Sequence, residues 1–105
     1  MTNEYGVRLD TNGYAPSILH DEDACYICLS PETVRHEVFE GFGRRAKSKR
    51  LGLWLLLCPG HHMEIHDRAE KSLALKQTAQ RRAMEHYGWS TEDFIREFGR
   101  NYLED

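Results

Sequence analysis

Cysteine is scarce in this chain, and its count is odd. Three thiols, Cys25, Cys28 and Cys58, among 105 residues cannot close a disulfide framework. In a reducing compartment such thiols read as metal ligands or redox groups. No stretch approaches the ~18 apolar residues of a membrane span. The start, "MTNEYGVRLD", lacks the basic lead and apolar run of an export signal. A cytoplasmic location and no membrane partner are therefore expected. A net charge of −3 excludes a generic polyanion binder. There is no internal repeat and no low-complexity tract. At 40% hydrophobic residues the core is modest for so short a chain, and a small domain of this kind usually needs a staple.

What the chain has is local pattern. Residues 1–24 read as an irregular arm, with a turn at Asn12-Gly13, Pro16 beyond it and a short alternating stretch at Tyr5, Val7 and Leu9. "VRHEVF", residues 34–39, alternates as a strand, with Val34, His36 and Val38 on one face and Arg35, Glu37 and Phe39 on the other. "EGFGRRAKSKR" reads as a glycine-containing basic loop, and "LGLWLLL", residues 51–57, as a buried strand. Pro59-Gly60 ends that strand, and "HHMEIHDRAE" forms a short helix. Residues 72–87 follow as a helix capped by Ser72 and stopped by Gly88, with Leu75, Ala79, Ala83 and Tyr87 as its apolar stripe. Ser90 or Thr91 caps a last helix, with Asp93 completing an S-x-x-D box. Its Phe94, Phe98 and Tyr102 recur every four residues and are expected to pack on the preceding helix. The chain ends in the acidic "NYLED". The fold class is α+β, in three parts: the arm at 1–24, a core at 25–70 and a helical extension at 71–105. The exposed terminal helices and thin core are compatible with a homodimer.

The chemistry concentrates in "CYIC" and "LLLCPGHHMEIHD". Cys25-x2-Cys28 and Cys58-x2-His61 each place two soft donors in a tight knuckle. Zinc takes four such sulfur and nitrogen ligands in a tetrahedron, so the paired knuckles make a Cys3His structural site. His62 and His66 remain; four residues apart on a helix, they share one face and form a bidentate metal pair. His61 points roughly 100° away from His62, so one short helix can serve two ions. A rival places a single zinc on Cys25, Cys28, His62 and His66, and leaves Cys58 and His61 without work. His36 lies mid-strand. A strand, basic segment, strand and helix in that order bring it alongside His62 and His66, where a neutral imidazole is suited to take a proton from water. "RRAKSKR", residues 44–50, holds five cations in seven positions: Arg44, Arg45, Lys47, Lys49 and Arg50. Such a run can hold a phosphate backbone, which positions a strand without reading its bases.

Taken together, "CYIC", "RHEVFEGFGRRAKSKRLGL" and "LCPGHHMEIH" resemble the HNH (His-Me finger, ββα-metal) endonucleases, in particular the small zinc-bound versions of phages and prophages. The resemblance covers residues 25–67, and less specifically the helical tail to residue 103. It implies a treble-clef-like ββα-metal core and a metal-dependent DNA endonuclease of the bacterial host cytoplasm. By the same resemblance His36 is the general base, and Cys25, Cys28, Cys58 and His61 hold structural Zn2+. His62 and His66 hold Mg2+ or another divalent ion. The expected partner is DNA, bound without strong sequence specificity. Two positions depart from the family pattern. Arg35 stands where an acidic or histidine ligand is usual, and "LGLWLLL" lacks the asparagine that orients the base. Glu37 and Asp67 are the neighbouring carboxylates, although strand alternation turns Glu37 away from His36. These departures define the alternative: an inactive HNH-like zinc module that binds nucleic acid or a host protein, as a phage regulatory or anti-defence factor.

Overall fold

The computed structural model describes residues 1–103; the acidic end, Glu104 and Asp105, lies outside them. Its elements are β1 (Val34–Glu37), α1 (Arg44–Arg50), β2 (Trp54–Leu57), α2 (Pro59–Asp67), α3 (Ala69–Tyr87) and α4 (Thr91–Phe98). The architecture is α+β, a two-stranded antiparallel sheet with four helices.

β1 and β2 pair Val34 with Leu57, Arg35 with Leu56, His36 with Leu55 and Glu37 with Trp54. Alternation turns Leu55 and Leu57 into the core and carries His36 to the same buried face. The first strand is shorter than residues 34–39: regular pairing stops at Glu37, and both Val38 and Phe39 are buried on leaving it.

The basic segment is a helix, not a loop. Arginine, lysine and alanine are good helix formers, and no proline interrupts them. Gly43 supplies a left-handed N-cap at φ 78°. Buried Ser48 fastens the helix to the end of β1, its hydroxyl donating to the Phe39 carbonyl at 2.8 Å and accepting from the Phe39 N–H at 3.1 Å. This helix uses up chain expected in the loop, so Leu51–Leu53 form a turn and β2 begins at Trp54 rather than residue 51. Gly52 makes that turn at φ +76°, where a Cβ would collide with the Pro16 carbonyl.

The long helix begins at Ala69, not Ser72, and ends at left-handed Gly88 as expected. The capping box of α4 is present in both directions, Ser90 accepting from the Asp93 N–H and Asp93 accepting from the Ser90 N–H. Phe94 and Phe98 from α4, with Tyr102 beyond it, surround Phe39 at centroid distances of 5.3, 4.7 and 5.4 Å. The terminal aromatics thus close over the end of β1 as well as over α3. Buried Gln80 of α3 anchors the tail, accepting from the Tyr102 N–H at 2.8 Å.

Residues 1–24 form turns and one isolated bridge, Thr2 to Arg8, and the alternating Tyr5, Val7 and Leu9 make no longer strand. They are fixed to the rest of the chain. Asn3 donates to the Arg50 carbonyl at 2.8 Å, and the Trp54 indole donates to the Ala15 carbonyl at 2.7 Å. No described helix is long and apolar enough to cross a membrane.

Candidate metal centres

The first knuckle is a tight turn whose backbone serves its own sulfur. The Leu29 N–H returns to the Cys25 carbonyl at 2.9 Å, and the Ile27 N–H points at the Cys25 sulfur at 3.4 Å. Closing the turn puts Leu29 at φ 65°, an unusual conformation for a branched side chain. The Tyr26 N–H then bonds the Leu56 carbonyl at 2.7 Å, which hangs the knuckle on β2. The second knuckle is a helix start. Cys58 caps α2, with its sulfur accepting from the His61 N–H, and Pro59 takes the first helical position.

These two turns bring Cys25, Cys28, Cys58 and His61 together, all four donor atoms within 4.8 Å of one another. His61 Nδ1 lies 3.3 Å from the Cys58 sulfur and 3.7 Å from that of Cys25, while Cys28 and Cys58 sulfurs are 3.8 Å apart. Donors about 2.0–2.3 Å from a shared tetrahedral ion lie roughly 3.3–3.8 Å apart. The thiols are free, and the donor set is compatible with a structural zinc site. Burial alone would push the Cys25 thiol up, but the backbone N–H groups of Cys28, Cys58 and Ile27, with the His61 side chain, bring it down to about 6. At Cys28 the Ser30 N–H favours the thiolate. Burial and the neighbouring sulfurs outweigh it and hold that thiol above its ordinary value. The single-zinc rival built on His62 and His66 does not match this grouping, because His61 and Cys58 complete the set.

One residue further along α2 the helix turns to a second cluster. His62 and His66, a turn apart, place their Nε2 atoms 3.2 Å from each other. Two nitrogens on one ion at about 2.1 Å lie roughly 3.0–3.4 Å apart, so the pair fits a shared divalent metal. His36 reaches the same place from β1, its ring centroid 5.3 Å from His62 and 5.6 Å from His66, with the three donor atoms within 4.8 Å. Only 3% of His36 is exposed. Burial first, then the neighbouring His62 and His66, lower its pKa to about 4, so it is neutral at pH 7. Burial and His66 also lower the pKa of His62, against an upward pull from Glu40 and Glu37. The three imidazoles line an open cavity of about 210 Å³ with Arg35, Glu37, Glu40 and Arg45.

No protein-family model, curated protein or solved structure matches the chain. What the site can do follows from its own donors.

The five cations of α1 are distributed rather than gathered at the cavity. Arg45 lines it, 3.4 Å from Glu37 and 3.9 Å from Glu40. Lys47 pairs with Glu97 at 3.4 Å and Arg50 with Glu4 at 3.0 Å. Lys49 sits over the Tyr14 ring at 4.8 Å, and the Arg44 guanidinium lies beside Gly99. Arg35 is also engaged: its guanidinium lies 4.1 Å from the Tyr14 ring centre and 3.3 Å from Asp10. Glu37 lines the cavity despite strand alternation, its carboxylate held by the Tyr14 hydroxyl and by Arg45. Asp67 is not among the lining residues. Glu40 carries no local signal of a role in the sequence. It stands past the last paired residue of β1, where alternation no longer tells which way a side chain points.

Proposed function

We propose that this chain is a metal-dependent endonuclease of the HNH type, hydrolysing phosphodiester bonds in DNA. The observation that carries the reading is the convergence of buried His36 with the His62–His66 pair in one open cavity. Packing alone supplies no reason to gather three imidazoles from two elements in such a place. In this reading Cys25, Cys28, Cys58 and His61 hold a zinc ion that stabilises the fold. His62 and His66 hold Mg2+ or another divalent ion, which supplies Lewis-acid stabilisation of charge developing on the phosphate.

His36 is neutral and accepts a proton from water as the water oxygen bonds to phosphorus. The bond from phosphorus to the 3′-oxygen breaks, and that oxygen takes a proton from solvent. The products are 5′-phosphate and 3′-hydroxyl ends. Arg45, at the cavity, is the cation best placed to meet a phosphate. The test is nicking of supercoiled plasmid in magnesium, manganese or nickel by the wild type and by His36→Ala. Nicking that the substitution removes supports the reading; equal nicking, or none in any of the metals, rejects it.

One observation favours a second reading, the inactive module that binds nucleic acid or a host protein. Arg35 stands where a metal ligand is usual in the family and is committed to Tyr14, Trp54 and Asp10. That reading expects the zinc ligands to be indispensable and His36→Ala to be without effect.

A further inference from the structure

We propose that Glu40 is the carboxylate that positions His66 and offsets the ligand lost at residue 35. The inference rests on the reading of His62 and His66 as a divalent-metal pair. An imidazole binds a metal through Nε2 only when its proton sits on Nδ1, and a carboxylate beside Nδ1 holds it there and raises the donor strength of the ring. His66 has that arrangement. Its Nε2 faces the Nε2 of His62 at 3.2 Å, and its Nδ1 faces Glu40 Oε2 at 4.0 Å. At that distance the two are an ion-pair contact, and the Glu40 side chain is only partly buried.

The two oxygens of Glu40 divide their work. Oε1 lies 3.9 Å from Arg45 and Oε2 is turned to His66. Glu37, the other carboxylate at the cavity, is not free for this role: Oε2 accepts from the Tyr14 hydroxyl and Oε1 pairs with Arg45. The backbone holds Glu40 in place between buried Phe39 and Gly41, which sits at φ 108°. Negative charge thus reaches the metal pair from beyond the strand end, while Arg35, which also lines the cavity, has its guanidinium over Tyr14 and against Asp10.

The experiment reads the His66 tautomer of the zinc-loaded full chain by long-range proton–nitrogen NMR before any Mn2+ is added, and then titrates Mn2+ into it. Wild type is compared with Glu40→Gln, Glu40→Ala and Glu37→Gln. The expected result is Mn2+ binding weakened about 10–100-fold in both Glu40 variants, with zinc content unchanged. The His66 proton moves from Nδ1 toward Nε2 in Glu40→Ala, and Glu37→Gln stays near wild type. Wild-type affinity and an unchanged tautomer in Glu40→Ala overturn the proposal. Equal weakening by Glu37→Gln also overturns it, because general charge and not the His66 contact is then responsible. A wild type that binds no Mn2+ beyond its zinc rejects the metal-pair reading itself.

Discussion

At the scale of single residues, His36 carries the most exacting requirement. The proposed general base must be neutral when it acts, and burial beside two other imidazoles keeps His36 neutral down to about pH 4. The proposed activity is therefore expected to fall as pH drops through the folded-state pKa, which lies below the ordinary histidine value near 6.5. With metal held saturating, the ascending limb of kcat/KM for nicking is expected below pH 6.5, and His36→Ala is expected to lower the rate about 10²–10⁴-fold. A limb at or above pH 6.5 contradicts the burial argument. The donors at this scale were legible in the sequence, because the C-x2-C, C-x2-H and H-x3-H spacings are set by local turn and helix geometry. Glu40 was not, since its meeting with His66 depends on how the chain leaves β1.

At the scale of elements, local signals were reliable where a cap or stop residue acts on its immediate neighbours. Ser90, Asp93 and Gly88 stand at the helix ends their residue types suggest. Ser90→Ala removes the hydroxyl that accepts the Asp93 N–H, and a loss of about 1 kcal/mol is expected by chemical denaturation. No change in stability contradicts a formed capping box. The sequence was less informative at α1. Glycines and a dense run of charge suggested a loop, yet the anchor that makes this segment a helix is Ser48, buried against Phe39. A serine between two lysines gives no local sign of burial. Once α1 forms, Gly52 must turn the chain under Pro16, which is why β2 starts late.

Across the whole molecule, charge and metal chemistry are divided among surfaces. Five free cations would give a salt dependence of DNA affinity with a log–log slope of about −4 to −5. The fold ties Lys47 to Glu97, Arg50 to Glu4 and Arg45 to Glu37. With three of the five in ion pairs, the proposed DNA binding is expected to show a slope of about −2 in titrations at several salt concentrations. A slope near −5 shows instead that the intramolecular pairs exchange for phosphates. The overall arrangement turns on α2, which directs His61 to the thiols and His62 to His66, so that adjacent residues belong to different centres. Metal counting by native mass spectrometry, with zinc and then manganese supplied, tests this most directly. One zinc and one exchangeable manganese are expected in the wild type, with loss of the manganese alone in His62→Ala and loss of the zinc together with the fold in His61→Ala. A single metal in the wild type that His62→Ala abolishes and His61→Ala leaves in place contradicts the two-centre arrangement.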